Sequence, residues 1–299
     1  MATLKKAIND APTSAKSAEE EVRAFEETTE RLEQEELRTE LNESYTDEDG
    51  VVRNVPLLAG VEWDGEFYDH FSFREMDGRD EEAISKGENR TNGAKLVNVL
   101  CERCVVEFSN GSNTITKKDL GIQKWGKLIR SCVTGDLDYM MIKIRRLSKG
   151  DKITFTQKCP SCGTKVTTEV SMDEYNIEPF KGQFEIPFEL PGKGYEDAKH
   201  ERHKCGVLRL LTGYDREMVF PYFRKNQAAA STLNLTRAIQ FDDGTPVFKD
   251  NVAAMSTRDR DYLNDLLSDN RFGVDSSIDI ECPNCGAELS SAGGVTNFF

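Results

Sequence analysis

The sequence lacks any long apolar run. No stretch approaches the roughly 18 uninterrupted apolar residues of a membrane-spanning helix, and Met1 to Lys6 lead into no apolar segment of a secretory signal. Both absences predict a protein that is cytoplasmic where it is made and has no membrane partner. Six of the eight cysteines stand in C-x-x-C pairs, which is the spacing of metal ligands in a reducing compartment.

The common catalytic signatures are also missing. There is no G-x-x-x-x-G-K-[ST], no H-E-x-x-H, no G-x-S-x-G and no dinucleotide fingerprint after a strand. We therefore do not expect an enzyme. A metal-dependent or thiol enzyme, with a cysteine nucleophile paired with His200 or His203, stays as an alternative, although nothing in the sequence orients such a pair.

Basic side chains are outnumbered by acidic ones. The chain of 299 residues has 53 acidic and 39 basic side chains and a formal net charge of -14. This balance disfavours nucleic acid as a partner, because contacts with phosphates need clustered lysine and arginine. Residues 1–50 hold 15 acidic and 6 basic side chains, a charge of -9, so the remaining 249 residues carry only -5.

Composition divides the chain into three parts. The composition of residues 1–50 predicts an acidic arm that is helical or partly disordered. Such an arm could fold onto a basic partner protein. Residues 51–88 contain turn signals and five clustered aromatic side chains, which predict a linker or a hairpin. Residues 89–299 predict the folded body.

Periodicity places helices and strands within the body. A helix is expected to begin at Thr134, with acids in its first turn, basic residues near its end and an apolar stripe of Leu137, Met140, Met141, Ile144 and Leu147. Residues 184–190 alternate as a strand does, and residues 207–211 predict a second strand. Residues 212–273 are expected to be helical, interrupted by a polar turn at 242–246.

Two short segments share one design. Residues 159–163 read C-P-S-C-G, residues 282–286 read C-P-N-C-G, and alternating residues flank them as in a hairpin. Proline fixes φ after the first cysteine, and glycine permits the left-handed conformation that closes the turn. Each turn supplies two thiolates, and a closed structural zinc site needs four. We therefore predict one structural Zn²⁺ on Cys159, Cys162, Cys282 and Cys285.

This site would join the middle of the chain to its C-terminal part, with residues of about 172–276 as an inserted subdomain. The predicted fold class is α+β. Two zinc-ribbon-type knuckles, the cysteine turns at residues 159–163 and 282–286 with their hairpins, pin a body of mixed helices and hairpins. The acidic helical arm precedes this body. A closed four-cysteine site has no open position for a substrate and does not argue for catalysis.

The other cysteines have two interpretations. Cys101 and Cys104 lie in an apolar segment without the proline and glycine of the knuckles, and core packing explains them and Cys132. Alternatively, Cys101 and Cys104 form a second metal site with three residues of a polar loop, namely His200, His203 and Cys205.

The order of motifs resembles a known family. Residues 135–139, 145–151 and 159–163, then 211–217, and finally 282–286 with Asn297, Phe298 and Phe299 resemble the zinc-knuckle baseplate proteins of contractile-tailed bacteriophages, the T-even baseplate hub assembly protein family. The resemblance covers residues of about 88–299. The acidic arm, the aromatic segment and the loop at residues 200–205 lie outside it.

The resemblance implies a structural or assembly protein of the tail baseplate or its hub. Its partners would be other tail proteins, and it would occupy the host cytoplasm during assembly and then either leave or stay in the virion tail baseplate. Candidate partner contacts are Arg145, Arg146, Phe298 and Phe299. The alternative from another class is a zinc-ribbon nucleic-acid-binding factor that uses Arg145, Arg146, Lys149, Lys152 and Lys158.

Overall fold

The N-terminal part of the fold is an antiparallel sheet with helices inserted between two of its strands. The computed structural model describes residues 44–223, 225–275 and 277–292, so most of the predicted arm and the terminal Phe298 and Phe299 lie outside the described residues. The elements of this part are β1 (Tyr45–Thr46), β2 (Val51–Trp63), β3 (Glu66–Arg74), α1 (Gly78–Ile84), α2 (Gly87–Thr91), α3 (Gly93–Cys104), β4 (Val105–Ser109) and β5 (Thr114–Thr116).

The sheet runs in the order β1-β2-β3-β4-β5. Strands β2 and β3 form a hairpin, and β3 pairs with β4. The aromatic segment therefore shares a sheet with a strand of the predicted body. Phe71 of β3 and Phe108 of β4 are fully buried, and Phe71 lies edge-on to Tyr139 at a centroid distance of 6.3 Å.

Two helices follow, α4 (Lys117–Ser131) and α5 (Thr134–Lys149). Helix α5 begins where the periodicity predicts, and Leu137, Met140 and Ile144 are fully buried as expected. The prediction that the buried stripe includes Leu147 was wrong, because this side chain is 37% exposed. Tyr139 and Ile142 are buried as well, because α5 contacts both the sheet and the helices around it. It is the central helix of this part.

The first knuckle follows α5. Strands β6 (Lys152–Lys158) and β7 (Lys165–Ser171) form an antiparallel hairpin in continuous register. A single 3-10 turn at Met172–Glu174 leads into the short strand β8 (Asn176–Glu178). The predicted hairpin around the first C-x-x-C is therefore present.

The segment between the knuckles has a core of its own. Its elements are β9 (Glu185–Glu189), β10 (Tyr195–Glu196), β11 (Arg202–His203), β12 (Cys205–Arg209), α6 (Gly213–Phe223), α7 (Gln227–Ala238), β13 (Ile239–Phe241), α8 (Lys249–Ala254) and α9 (Thr257–Asp269). The sheet β13-β12-β9 packs its buried Ile186, Phe188 and Leu208 against helix residues such as Leu235 and Leu263.

Both predicted strands of this segment are present as β9 and β12, although β12 covers Cys205–Arg209 rather than residues 207–211. The expectation of helix throughout residues 212–273 was wrong at β13, which pairs with β12 immediately after α7. A strand of three residues is too short to reveal a period of two, and its pairing with β12 is a tertiary contact.

The chain returns from this segment through β14 (Gly273–Asp275), which pairs antiparallel with β8. The last strands, β15 (Ser277–Glu281) and β16 (Glu288–Ala292), form the second knuckle hairpin. The described part of the chain is thus a mixed α+β fold with several small sheets. None of its helices has the length and apolarity that a membrane-spanning segment requires.

Candidate metal centre

The two knuckle turns have the same backbone hydrogen bonds. In the first, Gly163 N–H donates to Cys159 O at 2.9 Å and Cys159 N–H donates to Thr164 O at 2.8 Å. In the second, Gly286 N–H donates to Cys282 O, and Cys282 N–H to Ala287 O, both at 2.9 Å. Both glycines have positive φ, 72° and 67°, which explains why glycine closes each turn.

The four knuckle sulfurs meet at one point. The Sγ atoms of Cys159, Cys162, Cys282 and Cys285 all lie within 4.8 Å of one another. The Sγ atoms of Cys159 and Cys285 are 3.7 Å apart, as are those of Cys162 and Cys282. Four sulfurs at about 2.3 Å from a tetrahedral zinc ion stand about 3.8 Å from each other. The donor set and its spacing therefore fit zinc.

The cluster is apolar on one side and open on the other. Cys159 and Cys282 are each 2% exposed and pack with Val166, Ile280 and Leu289, whereas Cys162 and Cys285 are exposed. The first cysteine of each knuckle thus faces the hairpins and the second faces solvent. All four cysteines are free thiols rather than disulfides.

Hydrogen bonds prepare one sulfur for the thiolate form. The Thr164 hydroxyl, 3.2 Å from Cys162 Sγ, and the Thr164 N–H lower the pKa of Cys162 to about 5. The Ala287 N–H lowers the pKa of Cys285, but the neighbouring sulfurs, first that of Cys162, outweigh it and raise that pKa to about 11. Negative charge on one sulfur opposes charge on the next, and a bound cation removes this conflict.

The comparison with protein families gives the assignment. A family model described as T4 bacteriophage base plate protein matches residues 112–299, which is more than half of the chain and includes both knuckles. The chain belongs to this family. The resemblance of the motif order is thereby confirmed, and the family supports a structural role in a phage baseplate. The comparisons with curated proteins and with solved structures gave no match.

Two basic residues predicted as partner contacts in this baseplate protein are used within the fold. Arg145 is 7% exposed, and its guanidinium donates to Gly150 O at 2.7 Å and to Lys152 O at 3.2 Å. Arg146 pairs with Asp151 and with Asp173. Both arginines therefore hold the start of the first knuckle hairpin against α5.

Two of the three lysines of the nucleic-acid alternative, Lys149 and Lys152, are also paired with carboxylates. Lys149 Nζ lies 2.7 Å from Glu81 Oε1, and Lys152 Nζ lies 2.6 Å from Glu169 Oε1. Carboxylates beside these cations reduce their attraction for phosphate. No described contact favours nucleic acid at this face.

The five residues of the alternative second metal site are not brought together. Among the described residues, no three of Cys101, Cys104, His200, His203 and Cys205 form a group that could hold a metal ion. Cys101 and Cys104 are fully buried on α3, where their Sγ atoms contact Leu137 O and Asp80 Oδ2. The pattern C-x-x-C therefore lies inside a helix here, with its sulfurs in the core.

Burial also keeps these thiols protonated. Desolvation raises the pKa of Cys104 to about 12 and that of Cys101 further, and it raises the pKa of Cys132 well above its ordinary value. A thiol with a raised pKa is a poor nucleophile. Their burial therefore gives no support to these cysteines as catalytic groups.

The sequence interpretation missed the role of Asp136. Its side chain is fully buried, and its carboxylate accepts hydrogen bonds from the N–H groups of Leu58, Ala59 and Gly60 in β2. Burial raises the pKa of Asp136 to about 6, although these three N–H groups act in the opposite direction. The Gly-Asp pair at the start of α5 was the available signal, but it predicted only a favourable charge at the helix N-terminus.

Proposed function

We propose that this chain is a structural or assembly protein of the phage baseplate or hub, that it binds other tail proteins, and that one Zn²⁺ stabilises it. The observation that carries the metal part is the convergence of four knuckle sulfurs within a family-matched region. Cys159, Cys162, Cys282 and Cys285 would hold the ion as thiolates, and the ion would supply structure rather than catalysis.

The proposed ion would act together with the strand pair β8-β14. That pair already joins the two ends of the segment between the knuckles at Ile177 and Val274. A metal ion shared by both knuckle hairpins would add a second link, because the first knuckle precedes β8 and the second follows β14. For the division of the chain we propose an acidic arm in residues 1–50, a segment of residues 51–88 whose hairpin joins the sheet of the body, and a zinc-pinned body in residues 89–299.

The metal part is tested by the zinc-to-protein ratio of the full chain. We expect a ratio near one for the unaltered protein and near zero for Cys159→Ser and for Cys282→Ser, because each knuckle supplies two of four ligands. Cys132→Ser is the matched control, since Cys132 is buried outside the cluster. Full zinc content in both knuckle variants would refute the split site.

Helix α6 supports the partner-binding part. Its exposed large apolar side chains are Tyr214, Met218, Tyr222 and Phe223, each at least 40% exposed. The first three are spaced four residues apart and share one face of the helix. Concentrated exposed apolar area is typical of protein-binding surfaces. Two cations border this face, because Arg237 lies 5.1 Å from the Tyr214 ring and Lys249 lies 5.3 Å from the Tyr222 ring.

The partner part is tested by co-expression with each baseplate and tail protein of the same phage, followed by affinity capture. We expect capture of at least one defined tail protein, and weaker capture when Tyr214→Ser and Met218→Ser are combined. Ile122→Ser is the matched control, because Ile122 is 70% exposed on a different helix, α4. No association with any member of the panel would contradict this part and leave the zinc result unaffected.

A further inference from the structure

A second group of ligand atoms comes from the loop that joins β10 to β11, which holds Asp197 and Glu201, and from His203 in β11. The two strands pair Tyr195 with His203 and Glu196 with Arg202. Between them Asp197 N–H donates to Glu201 O at 3.0 Å, and His200 takes a φ of 67°. The loop turns back on itself, so one ligand atom each from Asp197, Glu201 and His203 lies within 4.8 Å of the other two.

The two oxygens of Asp197 have different surroundings. Its Oδ1 accepts hydrogen bonds from Lys199 N–H and Glu201 N–H, both at 2.8 Å. These bonds hold the carboxylate in place within the loop. Its Oδ2 faces the imidazole ring of His203, 3.6 Å from Nε2. One oxygen thus builds the loop, and the other is directed into the cluster.

His203 is the independent observation that points to a ligand. Its side chain is only 9% exposed, and Nδ1 lies 2.6 Å from Asp243 Oδ2. The buried Nε2 has no hydrogen-bond partner among the described residues, because 3.6 Å to Asp197 is too long for one. A buried ring nitrogen is costly when it is left unsatisfied.

This arrangement matches a metal-binding histidine. Such a histidine usually donates one ring N–H to a carboxylate, which fixes the ring and leaves the other nitrogen to bind the ion. Asp243 takes the carboxylate position here, and its own Oδ1 accepts Thr245 N–H at 3.0 Å. Two ligands at about 2.1 Å from one tetrahedral ion stand about 3.4 Å apart, which is close to the 3.6 Å between His203 Nε2 and Asp197 Oδ2.

We propose that Asp197, Glu201 and His203 bind one divalent transition-metal ion such as Zn²⁺ or Mn²⁺, with Asp243 as the positioning residue. A nitrogen and two carboxylates suit these ions, and water would complete the coordination. The ion would join the loop to the turn at residues 242–246 through Asp243. This site is separate from the four-cysteine cluster and does not rest on the function proposed above.

The test is a Co²⁺ titration of the full chain after removal of metal. Cobalt bound to thiolates has intense sulfur-to-metal charge-transfer absorption, whereas cobalt bound to nitrogen and oxygen has only weak visible bands. We expect a further equivalent of Co²⁺ that binds without any increase in the charge-transfer band. If no further Co²⁺ binds once the cysteine cluster is saturated, the proposal is overturned. This outcome does not depend on whether the cysteine cluster itself binds a metal ion.

Variants assign that equivalent to the loop. Glu201→Gln and His203→Gln should each weaken it at least about tenfold, and Asp243→Ala should weaken it about 10- to 100-fold. Glu201 is exposed, so its variant keeps the test valid if His203→Gln folds poorly. His200→Gln is the matched control, because His200 is in the same loop but 85% exposed and paired with Glu196.

An imidazolium is the competing explanation. A doubly protonated His203 between Asp197 and Asp243 would use both ring nitrogens without any metal. In that case neither Co²⁺ nor Mn²⁺ would shift the His203 ring resonances in NMR spectra, and the proposal would be overturned. Broadening of the His203 resonances by Mn²⁺ with His200 unaffected would support it.

Discussion

Gly135 at the start of α5 and Gly273 at the start of β14 touch through their backbones. A Cβ on Gly273 would lie 2.8 Å from Gly135 Cα, and one on Gly135 would lie 2.5 Å from Cε2 of Phe272. Gly273 also has a φ of 106°, which favours glycine. This contact places the returning strand directly against the central helix, and it gives a physical reason for glycine before Asp136.

We predict that Gly135→Ala destabilises the protein by about 1–3 kcal/mol, because the added methyl overlaps Phe272 in a packed interface. Urea unfolding of the purified variant measures this loss. Gly78→Ala is the control, since a Cβ there meets nothing within 4 Å and should change the free energy of unfolding little. Equal stability of the two variants would show that the close approach does not exist.

Asp136 should be needed as an acceptor rather than as a charge. Asp136→Ala leaves the N–H groups of Leu58, Ala59 and Gly60 without this acceptor and should cost at least about 3 kcal/mol. Asp136→Asn should cost less, because its carbonyl can still accept from two of the three donors. Thermal or urea unfolding ranks the variants. A larger loss for Asn than for Ala would contradict the acceptor role.

Asp215 should make stability depend on acid pH. Burial raises its pKa, but hydrogen bonds from Arg209, the Thr212 N–H and Arg237 outweigh burial and lower it to about 2 from 3.8. Because the folded value lies below the unfolded one, the contribution of about 2 kcal/mol is present above about pH 4 and is lost as the pH falls toward 2.

The check compares urea unfolding of the unaltered protein and Asp215→Asn between pH 7 and pH 2. The variant should be less stable by about 3 kcal/mol at pH 7, and the difference should shrink below pH 4. Asp173→Asn is the control, since Asp173 is 65% exposed in its pair with Arg146. A difference that stays constant with pH would refute the assigned pairing.

Removal of the proposed zinc should loosen both knuckles together. We expect chelation to increase hydrogen exchange at the N–H groups of Gly163 and Gly286, which donate within the two cysteine turns. Val207 in β12 is the internal control, because its strand is paired in a separate sheet. Added Zn²⁺ should restore protection. Unchanged exchange at both glycines would count against a shared metal ion.

Much of the fold was accessible from local patterns. The start of α5, the strands β9 and β12 and the two knuckle hairpins follow from periodicity, capping and turn residues that lie close together in the chain. Leu147 and β13 were predicted wrongly, because a helix packed on several sides has no single buried stripe and a strand of three residues has too little periodicity. The elements packed around α5 set which of its side chains are buried, and pairing with β12 makes residues 239–241 a strand.

At the candidate metal sites, the residue types and their spacing in the sequence show which side chains are able to bind a metal ion. The tertiary fold sets which of these side chains lie close together. The repeated C-P-x-C-G pattern by itself identified four candidate ligands, since each turn is built from adjacent residues. Only the fold brings the Sγ atom of Cys159 to 3.7 Å from that of Cys285. It also buries the side chains of Cys101 and Arg145. Such pairings depend on contacts between distant parts of the chain, which spacing within one segment does not encode.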